Sequence, residues 1–332
     1  MPKVGVVGTT SWGTTLGIIV ARIGTDVSIW ARTELEAATL ESARQNERFL
    51  PGVNFPQSLS VSASPTEALS DADIVLVVVP SRTFRANIRQ VCGALRSDAI
   101  LVSATKGLET RTGKRMSEVF ADELPAGMHS GICALSGPNL SREIIAGKPA
   151  STVVASANFD AARTAQSAIN SNLFRVYTNE DITGVEFGGA LKNIIALAAG
   201  VCDGMNYGDN AKATVITRGL AEVGRLAESA GANPLTLSGL AGMGDLIATC
   251  SSTLSRNHYF GMRLASGDSP EEISASMDNV AEGVDTIQGA ITVARRLGVE
   301  IPIAEAMYSI IFERVPIERA VSQLLERAPR PE

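Results

Sequence analysis

Hydrophobic positions in this chain come in two textures. Up to about residue 180 they gather into short runs, separated by stretches of helical spacing. The runs predict strands at Val4–Gly8, Val27–Trp30, Leu59–Ser62, Ile74–Val79, Ile100–Ser103, Ile132–Leu135, Thr152–Ala155 and Phe174–Thr178. Several are apolar throughout, Ile74-Val75-Leu76-Val77-Val78-Val79 most of all, which suits a parallel sheet covered by helices on both faces. Strand–helix alternation of this kind implies a doubly wound α/β fold. After about Asp181 the strand runs stop. Stretches rich in Ala, Leu and Glu follow at Ala211–Ala230, Val284–Leu297 and Pro302–Arg314, punctuated by Gly231-Ala232-Asn233-Pro234, Ser266-Gly267-Asp268-Ser269-Pro270 and Gly298. This second half reads as all-helical, with the boundary at the start of a long helix. The loop Gln45–Pro56 interrupts the alternation.

Within this frame a few polar residues stand out. Gly8-Thr9-Thr10-Ser11-Trp12-Gly13 lies between the first strand and a helix, and fits the dinucleotide fingerprint G-x-G-x-x-G except for Thr10 at the second glycine. Gly8 serves the tight turn and Gly13 the close helix–strand packing. Thr10 is expected to hold phosphates slightly farther out, while anion binding by the helix N-terminus survives the change. The first 180 residues thus read as a Rossmann-type dinucleotide-binding domain, and residues 181–332 as a helical substrate-binding and catalytic domain. At the tip of the second strand, Ala31-Arg32-Thr33-Glu34 offers an arginine suited to a 2′-phosphate, with Glu34 starting the next helix behind a Thr33 cap.

Lys106, in Thr105-Lys106-Gly107-Leu108, and Ser136-Gly137-Pro138-Asn139 follow predicted strands, at the end of the sheet where ligands bind. In the helical half, Lys192 sits inside the apolar run Gly188-Gly189-Ala190-Leu191-Lys192-Asn193-Ile194-Ile195-Ala196-Leu197. An ammonium facing a packed interior must be paired or lose its proton, whereas one on a wet stripe merely snorkels. Asp245 lies among glycines in Gly242-Met243-Gly244-Asp245. Ser255-Arg256-Asn257-His258 is suited to a phosphate, and Val280-Ala281-Glu282-Gly283 follows.

Composition narrows the reading. Net charge is −6 with no basic block, which argues against nucleic acid or an anionic membrane as partner. Two histidines and four scattered cysteines give no metal-ligand spacing and no secretory framework, so no metal is expected. The start Met1-Pro2-Lys3-Val4 does not read as a targeting segment, and the apolar stretches Ile74–Pro80 and Ile194–Cys202 are too short to span a bilayer. The expectation is a cytoplasmic protein.

The chain resembles the bacterial NAD(P)-dependent sn-glycerol-3-phosphate dehydrogenases. The matching pieces are Gly8 to Thr14, Phe49-Leu50-Pro51-Gly52, Val77-Val78-Val79-Pro80-Ser81, Thr105 to Leu108, Ser136-Gly137-Pro138, Gly188 to Asn193, Ile216-Thr217-Arg218-Gly219-Leu220, Gly244-Asp245-Leu246, Ser255-Arg256-Asn257 and Glu282-Gly283, in family order over nearly the whole chain. The resemblance implies interconversion of dihydroxyacetone phosphate and sn-glycerol 3-phosphate with NADP or NAD, supplying phospholipid synthesis, in a homodimer. It implies that Lys192 is the general acid, aided by Lys106 and Asp245. Lys106, Gly137, Asn139, Lys192, Asp245, Ser255, Arg256 and Asn257 would bind substrate. Gly8, Ser11, Trp12, Gly13, Arg32, Lys106, Ser141, Arg256, Val280 and Glu282 would bind cofactor. Thr10, Asn139 (threonine is usual) and Ser141 (alanine is usual) depart from the family pattern. A related two-domain reductase of another small oxo acid, or a non-catalytic nicotinamide sensor, are the alternatives. Preference for phosphorylated over unphosphorylated ketones separates the first, and turnover separates the second.

Overall fold

The computed structural model describes residues 2–277 and 281–328. The chain divides into two compact units, Met1–Lys106 with Arg115–Glu186, and Gly107–Lys114 with Phe187–Glu332. The first holds one sheet of eight strands: β1 (Val4–Val7), β2 (Val27–Trp30), β3 (Leu59–Ser62), β4 (Ile74–Val77), β5 (Ile100–Ser103), β6 (Ile132–Ser136), β7 (Ala150–Ala155) and β8 (Phe174–Asn179). Their order is β3-β2-β1-β4-β5-β6-β7-β8. The chain reverses beside β1, which pairs with β2 on one side (Val4 opposite Val27) and β4 on the other (Val4 opposite Ile74).

Each apolar run feeds two cores, because successive side chains leave a strand on opposite faces. Val4, Val6, Ile74, Leu76 and Val102 pack on one face. Val7, Val75, Val77 and Leu101 pack on the other. Helices α1 (Ser11–Arg22), α2 (Glu34–Ala43), α3 (Pro65–Leu69), α4 (Phe84–Val91), α5 (Met116–Glu123), α6 (Ser141–Ile145) and α7 (Phe159–Ile169) complete this unit. One feature departs from the expected parallel sheet: β7 runs antiparallel to β6, with Leu135 opposite Val154. An apolar run buried on both faces reads the same in either direction, so its periodicity carries no sign of strand polarity.

The rest of the chain is helical: α8 (Ile182–Gly204), α9 (Gly208–Ser229), α10 (Pro234–Leu237), α11 (Asp245–Ser251), α12 (Arg256–Ala265), α13 (Pro270–Ala275), α14 (Glu282–Leu297), α15 (Pro302–Phe312) and α16 (Ile317–Leu325). Helix α8 begins in the first unit and forms the spine of the second. The apolar stretch that looked too short to cross a membrane is part of this 23-residue helix, long and apolar enough to do so. Yet 94 % of its apolar window is buried inside the protein, as in a core helix. Ala190, Leu191, Ile194, Ile195 and Leu197 lie in the core of the second unit together with Leu108 from the 107–114 segment.

Helices α8 and α12 touch backbone to backbone. A Cβ on Gly200 would stand 2.1 Å from the His258 carbonyl oxygen, and one on Gly261 would stand 2.0 Å from that of Leu197. On the next helix over, Glu222 is buried with its carboxylate accepting from the N–H groups of Ile303 (2.9 Å) and Ala304 (3.0 Å), which holds the start of α15. Burial pushes this carboxyl up to about 7, although both N–H groups pull the other way.

Candidate active site

In the first unit the site is built at the carboxyl ends of the central strands. Gly8 follows β1 with φ +113°, and a Cβ there would lie 2.6 Å from the Val78 carbonyl oxygen, so only glycine makes this turn. Thr10, standing at the second fingerprint glycine, caps α1. Its hydroxyl accepts from Gly13 N (3.1 Å) and donates to the Val78 carbonyl (3.0 Å). The side chain is therefore tied to the end of β4. The N–H groups of Ser11 and Trp12, in the first turn of α1, have no partner within their own helix and carry its positive end.

The unusual loop takes part as well. Asn46 donates to the Thr9 carbonyl (2.9 Å) and to the Thr14 hydroxyl (2.9 Å), bracing the glycine turn from outside. Thr9 also donates to Glu36 of α2 (2.5 Å). Thr33 caps α2 by accepting from Glu36 N at 3.2 Å, and Glu34 opens that helix. Arg32 is exposed at the tip of β2, with its guanidinium 3.5 Å from the Asn87 side-chain oxygen.

Lys106 and Gly137 come together, the Lys106 ammonium donating to the Gly137 carbonyl at 2.8 Å. Behind Lys106, the Thr105 hydroxyl donates to the Val79 carbonyl (2.8 Å) and accepts from Val79 N (3.2 Å), locking the end of β4 to the end of β5. Asn139 donates to Thr152 Oγ1 (3.1 Å), which donates in turn to the Ser136 carbonyl (3.0 Å). Ser141 opens α6.

In the second unit, Lys192 is buried at 7 % exposure and Asp245 at 2 %. The ammonium lies 3.1 Å from Asp245 Oδ1 and donates to Thr249 Oγ1 at 2.5 Å. Thr249 donates onward to the Asp245 backbone carbonyl (2.7 Å), one turn back on α11. Of the two sequence readings of Lys192, the paired interior ammonium is the one found. A single π turn over Leu240–Gly244, closed by Gly244 N to the Gly239 carbonyl (3.1 Å), delivers Asp245 to the head of α11. Cys250 lies beside this pair, and burial pushes its thiol up to about 12, far from nucleophilic use.

Next to Lys192, Asn193 accepts from Asn257 Nδ2 (2.9 Å), and Asn257 Oδ1 accepts from Gly283 N (2.9 Å). This clasp fastens the starts of α12 and α14 to α8. Ser255 is the N-cap of α12, accepting from His258 N at 3.2 Å. Arg256, the first residue of that helix, is exposed, and half-buried Glu282 opens α14. Val280 lies outside the described residues. Thr249, Asn193, Thr105 and Asn46 were not singled out from sequence. Only Thr249 had a local signal, its i+4 spacing from Asp245 on a helix.

The two halves of the chain match the two halves of one family. Residues 3–162 fit the N-terminal model and residues 181–322 the C-terminal model of NAD-dependent glycerol-3-phosphate dehydrogenase. The chain belongs to this family.

A glycerol-3-phosphate dehydrogenase [NAD(P)+] of Dehalococcoides mccartyi is 50% identical over 326 residues, 98% of this chain and 91% of the relative. One from Streptomyces avermitilis is 47% identical over 330 residues, 99% of this chain and 98% of the relative. The crystal structure of glycerol-3-phosphate dehydrogenase from Coxiella burnetii superposes with a TM-score of 0.93 at 33% identity, covering 98% of this chain and 99% of that one.

The first unit fits a family dinucleotide on its own geometry. The glycine turn at Gly8 and Gly13 is a cradle that side chains would fill, since a Cβ on Gly13 would lie 2.3 Å from the Gly8 carbonyl oxygen. Among the described residues, the buried hydroxyls of Ser81, Ser103 and Ser136, near the ends of β4, β5 and β6, and the Trp12 indole N–H have no protein partner. Buried polar atoms of this kind are expected where a polar ligand belongs.

Proposed function

We propose that this protein interconverts dihydroxyacetone phosphate and sn-glycerol 3-phosphate with NAD(P)H. The observation that carries the chemical reading is the buried Lys192 ammonium, held between Asp245 and Thr249. A ketone accepting hydride builds negative charge on its oxygen, and an ammonium fixed in a water-poor site stabilises that charge and supplies the proton. The bound nicotinamide supplies the hydride. Asp245 and Thr249 restrict the rotamers of Lys192, so its Nζ is oriented before substrate arrives. In the reverse direction the neutral amine takes the proton from the alcohol.

Lys106, Gly137 and Asn139 serve substrate binding. So do Ser255, Arg256 and Asn257, where the Arg256 guanidinium suits the phosphate. Gly8, Ser11, Trp12, Gly13, Ser141, Lys106, Arg256 and Glu282 complete the cofactor contacts. The product feeds phospholipid synthesis. Oxidation of NADH and NADPH, followed by absorbance, with dihydroxyacetone phosphate as acceptor tests this reading. Turnover with a small oxo acid but not with the phosphorylated ketone would reject it.

The reading extends to cofactor choice. Arg32 is exposed at the tip of β2, and Glu34 is committed to the first turn of α2, where the helix dipole stabilises it. Arg32 therefore reads a 2′-phosphate, a contact worth about 1.5–3 kcal/mol when well formed. Arg32→Ala raises the KM for NADPH by about tenfold or more and leaves that for NADH nearly unchanged. Equal effects on both cofactors would exclude the role. The protein is also proposed to be a homodimer. Ile247, Leu254, Tyr259 and Met262, on and between α11 and α12, are exposed apolar side chains that a second copy would cover, and sedimentation equilibrium at the monomer mass would refute this.

A further inference from the structure

We propose that His258 and Asp203 are positioning residues for the substrate phosphate: they anchor the start of α12, and with it Arg256, to the helix that carries Lys192. The proposal rests on Arg256 as the phosphate ligand and adds what holds it in place.

His258 is buried at 7 % exposure in the first turn of α12, two residues after Arg256. Its ring Nε2 lies 2.6 Å from Asp203 Oδ2. The same oxygen accepts from the Lys212 ammonium of α9, also at 2.6 Å. Burial alone would push the Asp203 carboxyl up, but Lys212 and His258 together bring it below the ordinary range. An ionised carboxylate offers no proton, so Nε2–H is the donor and the bond is charge-assisted.

The placement gives this bond its consequence. Asp203 lies on α8 about three turns beyond Lys192, so one helix carries both the acid and the anchor. On the near side of Arg256, Ser255 caps the helix through His258 N. On the far side, Asn257 is clasped to Asn193 and Gly283. The α8–α12 crossing is backbone against backbone at Gly200 and Gly261. The Asp203–His258 bond ties the same two helices by a polar contact at the first turn of α12, next to Arg256. Arg256 itself is a long exposed side chain, and its aim depends on the turn from which it springs.

The test measures kcat/KM for dihydroxyacetone phosphate and for unphosphorylated dihydroxyacetone, and takes their ratio. His258→Leu should lower that ratio about tenfold, the effect of losing one charge-assisted anchor. His258→Gln, whose amide nitrogen reaches the place of Nε2, should restore most of the ratio, and His258→Asn, which is too short, should not. If His258→Leu fails to fold, the Gln–Asn comparison decides alone. A purely structural role predicts equal losses for both ketones and no difference between Gln and Asn, which would overturn the proposal. Arg256→Leu in the same assay separates the two layers. If it leaves the ratio intact, the phosphate reading falls and the proposal with it. If it collapses the ratio while the His258 variants do not, only the positioning role falls.

Discussion

Lys192→Met removes reduction of dihydroxyacetone phosphate, lowering kcat by about 10²–10⁴-fold, the usual worth of a positioned general acid. Methionine keeps the length and apolar stem of the side chain, so the packing of α8 survives and the change falls on the ammonium. Asp245, only 2 % exposed, then loses the cation 3.1 Å from its carboxylate. Breaking one side of a buried pair costs several kcal/mol in typical cases, about 3–5, so a lower melting temperature should accompany the kinetic loss. Circular dichroism shows whether the fold is retained. Fluorescence titration with NADH separates lost chemistry from lost cofactor binding. Both reaction directions should fail together, since the residue that donates the proton one way must accept it the other. A folded variant keeping more than half the wild-type turnover would end the assignment of Lys192 as the acid.

The second large effect is steric and needs no ligand to be seen. Gly261→Ala places a methyl 2.0 Å from the Leu197 carbonyl oxygen, well inside contact distance, and the obstacle is backbone that cannot rotate away. Helices α8 and α12 must separate. Overpacking of this kind costs about 1–3 kcal/mol and sometimes more. Gly224→Ala is the matched control. Gly224 lies inside α9, where the nearest atom to a new Cβ is a Leu237 methyl at 3.9 Å, and alanine there should stabilise by about 0.5–1 kcal/mol. Urea unfolding of both variants gives the comparison, and the midpoints should move in opposite directions. If Gly261→Ala is as stable as the wild-type protein, the close crossing is not the rigid contact described. Any shift in kinetic constants should fall on the contacts proposed for Arg256, which the start of α12 bears.

Composition and local pattern carried the architecture a long way. Strands β1 and β4 were legible because they are buried on both faces and apolar through their whole length, and β3 and β8 because buried and exposed residues alternate along them, signals that need no knowledge of neighbours. The glycine turn after β1 was legible because its geometry admits no side chain at Gly8. Lys192 was conspicuous because a charge in an apolar run demands a partner. The partner was a different matter. Thr249 and Asp245 lie over fifty residues away, on a helix entered through a π turn over Leu240–Gly244. The clasp of Asn193, Asn257 and Gly283 likewise joins three segments that are adjacent only after folding. Thr10 looked like a defect in a fingerprint. Its hydroxyl, bonded to the end of β4, is a helix cap, and the partner carbonyl belongs to Val78.

The reversed direction of β7 and the assignment of residues 107–114 to the helical unit were equally beyond local reading. Burial depends on a residue's own chemistry and its near neighbours, so a linear chain displays it. Direction, pairing and the closing of hydrogen bonds depend on which distant segment arrives opposite, and that is settled only when the whole chain has folded.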